Sequence, residues 1–255
     1  MKKTNLAINI IILAIIFTAY QYTKAGFLSS GLVGYWKFDE APSTTAIDYS
    51  GLKNNGTLTN GPGYTNGKIG QGLSFDGSND TVAIGATNQF NTAAGTATSW
   101  IKIASLPGLN VVYTIISTVD VAETFGWKLE YRDTSGVKEF RYRKWTPEVG
   151  SNVTYVLMEN TWYHIAATWD GTNVVFYLNG LNIGSSSSVA PSSGSNAVSI
   201  GEDTRGADLQ VMNGLIDDVR IYNRALSASE MRQLYIKGIK SRGTPSGGLS
   251  SPFIW

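Results

Sequence analysis

From about Leu32 to Tyr222 the chain alternates short apolar-rich runs with clusters of Gly, Asn, Asp and Ser. Successive side chains on a β-strand point to opposite sides, so a period of two marks strands with one buried face. The clearest stretch is WYHIAATW at 162–169, a turn at Asp170-Gly171-Thr172-Asn173, the return run VVFYL at 174–178, and Asn179-Gly180 before a third run from Leu181. Asn-Gly supplies the two positive-φ positions that a two-residue hairpin needs, so the segment is predicted to be an antiparallel meander. Further strands are predicted at 33–38, 72–75, 82–84, 97–103, 112–118, 127–132, 139–144, 153–157, 197–201 and 214–222. Short strands with turn signals between them predict an all-β sandwich or barrel.

One helix is legible. Ser227 and Glu230 form a capping box, and Leu226, Met231, Leu234 and Tyr235 supply an apolar stripe behind it. Periodicity ends after residue 237, and 238–255 is predicted to be a flexible tail. The Ser-rich stretch 185–195 is predicted to be a surface loop.

The N-terminus follows a different pattern. Lys2 and Lys3 precede the apolar run LAINIIILAIIFTAY at 6–20, and small residues at Thr23 and Ala25 stand before Gly26. This is the layout of a secretory signal peptide over 1–25. An uncleaved anchor is the alternative, but the run is shorter than the roughly 20 residues that span a bilayer. Both readings place the rest of the chain outside the cytoplasm, and no other segment is apolar enough to cross a membrane.

Composition narrows the partners. Of 255 residues, 42% are hydrophobic and 15% charged, a globular balance. Lys2, Lys3 and Lys24 lie in the leader, so the remainder carries 17 bases against 19 acids. A near-neutral chain has no overall pull toward nucleic acid or anionic membranes. There is no Cys, which excludes disulfides, thiolate chemistry and Cys-bound metal. An exported chain without disulfides suits a bacterial source.

Four segments taken together resemble a known family. They are GYWKFDE at 34–40, LSFDGSND at 73–80, WYHIAATWDG at 162–171 with YLNG at 177–180, and NGLIDDVRIYNRALS at 213–227. In this order, and spread over most of the chain, they are similar to the laminin-G-like jelly-roll domains of the concanavalin-A-like lectin/glucanase superfamily. The resemblance implies two antiparallel sheets packed face to face over 31–237. It does not fix the function, because this superfamily holds glycan-binding modules, adhesion domains, glycosidases and lyases.

Catalysis finds little support in the residues. Glycosidases need two carboxylates flanking the bond. The glucanases of this fold usually carry them on one strand, spaced E-x-D-x-E or E-x-D-x-x-E. Glu123, Glu130, Asp133 and Glu139 have no such spacing, and Glu202 and Asp203 are adjacent. His164 is the sole histidine and reads as a structural one.

Asp217 stands among Leu215, Val219 and Ile221, and by parity is expected to point into the apolar interior. A buried carboxylate is costly unless paired or bound to metal. The resemblance implies a structural Ca2+ held by such an aspartate, with Asp39, Asp76 and Gly77 as the matching partners and Asp48 as a weaker one. The alternative is that these acids cap turns and bond backbone amides.

In 127–132, Trp127, Leu129 and Tyr131 share one face and Lys128, Glu130 and Arg132 the other; in 139–145, Arg141, Arg143 and Trp145 oppose Phe140 and Tyr142. If these strands pair, Arg132, Arg141, Arg143 and Trp145 form an exposed aromatic-basic surface suited to an acidic glycan. An ordinary solvated face with cross-strand pairs such as Glu130–Arg141 is the alternative. The function expected is a secreted or cell-surface, non-catalytic binding module, carbohydrate-binding or adhesive. The other readings are a structural or protein-interaction component of a cell surface and a divergent hydrolase or lyase.

Overall fold

The computed structural model describes residues 28–119, 125–144, 149–187, 196–203 and 210–240. The expected signal peptide, Trp145 and most of the expected tail lie outside the described residues. In chain order the strands begin β1 (Leu32–Trp36), β2 (Thr45–Ala46), β3 (Gly56–Thr59), β4 (Gly63–Asn66), β5 (Gln71–Asp76) and β6 (Thr81–Thr87). They continue with β7 (Gly95–Ile103), β8 (Val112–Ser117), β9 (Trp127–Thr134), β10 (Val137–Lys144), β11 (Val149–Thr154) and β12 (Tyr163–Trp169). The last are β13 (Asn173–Leu178), β14 (Leu181–Ser187), β15 (Asn196–Ile200), β16 (Glu202–Asp203), β17 (Gln210–Val211) and β18 (Asn213–Tyr222). Helix α1 (Ala228–Lys240) follows, running three residues into the stretch expected to be tail.

The described strands form two eight-stranded antiparallel sheets and a small β16–β17 pair. The first sheet runs β14-β13-β12-β7-β18-β5-β4, with β1 also on β18; the second runs β11-β10-β9-β8-β15-β6-β3-β2. The expected all-β sandwich with one C-terminal helix is therefore what forms. The predicted hairpin at Asn179-Gly180 is present, with φ of 52° and 75°. Gly180 is needed twice over, since a Cβ there would also lie 3.0 Å from the backbone of α1 at Arg232. The capping box forms both its bonds: the Ser227 amide donates to Glu230 Oε2 at 2.8 Å, and the Glu230 amide donates to Ser227 Oγ at 3.3 Å.

Between the sheets the core is aromatic. Trp169 of β12 meets Trp127 and Tyr142 of the opposite sheet at ring centroid distances of 4.8 and 5.0 Å. Three buried indole N–H groups donate to carbonyls outside the two sheets: Trp169 to Thr92, Trp127 to Phe90 and Trp36 to Asn54, at 2.8–3.0 Å. The bulk of these rings supplies hydrophobic burial, and their N–H groups tie the loops to the core.

A second, smaller cluster lies on the outer side of the first sheet, where Met231 and Leu234 of α1 cover Ala166, Tyr177 and Tyr222. His164 sits on that face, with Nε2 2.7 Å from Thr98 Oγ1 and its ring against Trp100. Burial, aided by Arg220, pushes its pKa down to about 3. It is a neutral structural histidine.

Replacing Trp169 by Ala is expected to cost about 3–5 kcal/mol in urea unfolding. Gly95→Ala should also destabilise, because a Cβ there would lie 2.2 Å from the Trp169 ring. A Trp169→Ala loss under about 1 kcal/mol would show that the ring is not a keystone of the core.

Candidate ligand-binding surface

On β9, Trp127, Leu129 and Tyr131 enter the core, which forces Lys128, Glu130 and Arg132 to the outer face. Register adds the neighbours: Arg141 of β10 stands opposite Glu130, Arg143 opposite Lys128, and Glu139 opposite Arg132. On the next strand Asn152 stands opposite Arg141 and Gly150 opposite Arg143. Arg132, Arg141 and Arg143 thus share one face, as alternation predicts.

Glu130 is the hub. Its Oε2 lies 2.7 Å from Lys128 Nζ, and its Oε1 lies 3.7 Å from Arg132 and 3.8 Å from Arg141. Lys128 also donates to Gln210 on β17, which folds over this face. Glu139 takes Arg132 Nε at 3.4 Å and a hydrogen bond from Asn152. Among the described residues, Lys128, Arg132, Arg141 and Arg143 share this face with Glu130 and Glu139.

The face is not the open surface expected. Lys128 and Glu130 side chains are 0% and 1% exposed, while Arg132 and Arg141 retain 19% and 20%. Alternation reports which side a residue takes, not what later folds across it; here β17 returns over the centre. The result is a buried ionic floor with an arginine rim that is only partly exposed. Gly150 leaves room for that rim, since a Cβ there would lie 2.3 Å from Arg141 Nε. Thr114, opposite Glu130 on β8, is buried with a hydroxyl that has no hydrogen-bond partner. The surface can hold carboxylates and hydroxyls through planar guanidinium groups.

The proposed metal residues are divided. Asp39 and Asp217 come to the same turn: Asp217 Oδ2 accepts the Ile69 amide at 2.8 Å and Asp39 Oδ1 accepts that of Gln71 at 2.9 Å. Asp76 and Gly77 lie elsewhere. Asp76 stands opposite Asn213 at the start of β18, and Asp217 is four residues farther along it, roughly 13 Å at strand rise. Asp76 instead bonds the Ser78 amide at 2.8 Å, the turn-capping alternative. Asp48 likewise takes the amides of Tyr35, Ser50 and Asn54 and the Ser50 hydroxyl.

The parity argument for Asp217 needs correction. Ile216, not Leu215, faces the core with Val219 and Ile221. The register slips between Asp217 and Arg220, where Asp218 takes φ of 52°. This bulge lies where β18 changes partner from β5 to β1. Asp217 therefore sits opposite Trp100 on the outer side, buried under the turn at 67–70 rather than in the sandwich interior. Its Oδ1 has no hydrogen-bond partner. Burial, then the nearby Asp218 and Asp39 charges, push its pKa up to about 8 even though the Ile69 amide pulls it down. Among the described residues no three acids or histidines gather as a metal cluster.

Replacing Glu130 by Gln strips the carboxylate from buried Lys128, with an expected cost of about 3–5 kcal/mol. A Lys128→Met/Glu130→Leu double variant should recover most of it. Equal losses in both would mean that packing, not charge, holds this floor.

Comparison with known proteins fits this architecture. A family model described as the concanavalin A-like lectin/glucanases superfamily matches residues 76–232. No curated protein sequence matches the chain. Among solved structures, domain 4 of AbnA, an extracellular arabinanase of Geobacillus stearothermophilus in complex with arabinotriose, is 21% identical with a TM-score of 0.65, covering 81% of this chain and 98% of that one. The binding domain of Paraclostridial Mosquitocidal Protein 1 is 19% identical with a TM-score of 0.65, covering 82% and 52%. The botulinum neurotoxin D ligand-binding domain in complex with N-acetylneuraminic acid is 17% identical with a TM-score of 0.60, covering 84% and 52%. The chain thus spans about half of the toxin domains and nearly all of the arabinanase domain. At these identities the likeness is one of fold. With the matched family model, it places the chain in the concanavalin A-like lectin/glucanases superfamily, to which it belongs.

Proposed function

We propose that the chain is an exported, non-catalytic carbohydrate-binding module, and that an acidic glycan lies across the outer face of β9, β10 and β11 against Arg132, Arg141 and Arg143. The observation that supports this reading is that Arg132, Arg141 and Arg143 share one face, with Arg132 and Arg141 19% and 20% exposed beside a buried Lys128–Glu130 floor. Sugar hydroxyls and carboxylates match planar guanidinium donors. The two carboxylates of the face are each engaged by cations, which suits holding a ligand more than moving a proton. Two structures of the same fold were solved with sugars bound, and this supports the ligand class. The toxin binding domains of that fold support adhesion to a cell-surface partner as the second reading.

The reading predicts that the purified chain binds uronic- or sialic-acid-containing glycans on an array. Arg141→Ala and Arg143→Ala should each weaken binding roughly tenfold, the worth of one charge-assisted hydrogen bond. Unchanged binding in both variants would remove this face from the account, and an array with no bound glycan would favour the protein-interaction reading.

We also propose a structural calcium ion held by Asp39 and Asp217 at the turn at 67–70. The buried Asp217 oxygen without a partner fits a hard cation that takes oxygen ligands. With two carboxylates there, the remaining oxygens must come from backbone and water. Such an ion stabilises the ionised Asp217 and ties β18 to the turn before β5. Without metal, a carboxyl whose folded pKa is raised from 3.8 to about 8 stabilises the fold in its protonated form. That contribution is full below about pH 4 and is lost as pH rises to about 8. In chelator, the unfolding midpoint is therefore expected to fall between pH 5 and 8, by at most a few kcal/mol in stability. Asp217→Asn should lack that fall, and calcium should cancel it in the native chain. Identical midpoints with calcium and with chelator at pH 8 would sink the proposal.

A further inference from the structure

On the outer side of the first sheet, between β1, β18 and the last turns of α1, lies a cavity of about 210 Å3. It is lined by Tyr35, Tyr49 and Tyr222, by Leu28 and Leu32, and by Arg220 and Lys237. None of these residues lies on the arginine face; the strands that contribute to the cavity, β1 and β18, belong to the opposite sheet. The volume is below the roughly 300 Å3 at which drug-sized pockets begin, and suits a single sugar ring.

The lining carries two cations, Arg220 and Lys237. Arg220 is buried, with Nη2 2.9 Å from both the Tyr35 hydroxyl and Asp218 Oδ1, and its guanidinium is 4.3 Å from the Tyr35 ring centroid. Lys37 Nζ lies 3.9 Å from the Tyr49 ring centroid. Lys237 is held below its usual range by partial burial and by Arg220 and Lys37, with Asp218 acting against them. Arg224 and Glu230, also near Tyr222, pair with each other at 2.6 Å and cancel. Glu40 and Asp39 act on the Tyr49 hydroxyl but do not line the cavity. Of the two lining cations, Arg220 is paired with Asp218, and among the described residues Lys237 is the cation added to that pair.

A second feature also calls for a ligand. Tyr222 is 1% exposed, lines the cavity, and its hydroxyl has no hydrogen-bond partner. A buried hydroxyl left so is costly, and one that borders a cavity is relieved by a polar guest. Aromatic and leucine walls suit the C–H face of a sugar, and Lys237 beside the Arg220–Asp218 pair suits a carboxylate.

We propose that this cavity is a second binding site, which takes one carboxylate-bearing monosaccharide unit, such as the end residue of an acidic glycan. The proposal rests on the carbohydrate-binding reading for its ligand class, but not on the arginine face. Lys237 is exposed on α1, so Lys237→Gln leaves the fold intact, and Tyr222→Phe removes only the unpartnered hydroxyl.

The test is calorimetric titration of the purified chain with free glucuronate and with glucose. Glucuronate is expected to bind, glucose not to. Lys237→Gln and Tyr222→Phe should each weaken glucuronate roughly tenfold, and Arg141→Ala should leave it unchanged. Absence of glucuronate binding, equal binding of glucose, or loss in Arg141→Ala with Lys237→Gln unaffected would each overturn the site. Glucuronate binding here in a chain that bound no array glycan would uphold the cavity while rejecting the arginine face.

Discussion

Two packed sheets use one face of every central strand. The interior closes on Trp127, Tyr142 and Trp169, so the residues between those positions are forced outward. Whatever this protein binds it must bind with every second residue, or with the loops. That constraint puts Lys128, Glu130 and Arg132 beside Arg141 and Arg143 without any local preference for the arrangement. The core decides the geometry of the surface, and the charge on the surface decides what it attracts.

The last strand carries a second constraint. β18 is bonded along one edge to β7, and along the other first to β5 and then to β1. The change of partner is accommodated by the bulge at Asp217 and Asp218. The bulge turns Asp217 toward the loop before β5, and Asp218 toward Arg220 and the Tyr35 cavity. Two adjacent acids thus reach two different partners, the Ile69 amide and Arg220. Bulges commonly re-aim side chains in this way, and here the bulge separates a carboxylate turned to the turn at 67–70 from one turned to Arg220.

Much of this was legible in the chain. The Asn179-Gly180 hairpin, the Ser227–Glu230 cap and the alternation of β9 and β10 are local rules, and each holds in the structure. What was not legible depends on register or on distant chain. The slip at Asp217 broke a parity argument that assumed an unbroken strand. Asp76 was matched by motif to a partner that strand length keeps away from Asp217. The burial of Lys128 follows from Gln210, 82 residues away. Strands β2, β3 and β4 are short and rich in Gly and Thr, with too few apolar residues to show a period. The Tyr35 cavity joins residues from both ends of the chain, and no spacing announces it.

The account stands on the claim that the arginine face of β9–β11 is where glycan lies. The most direct measurement is mapping of backbone amide shifts as a labelled chain is titrated with a uronic-acid-containing oligosaccharide. The account predicts saturable shifts concentrated at 128–143 and 150–154. A titration in which the oligosaccharide binds and those strands stay silent would contradict it.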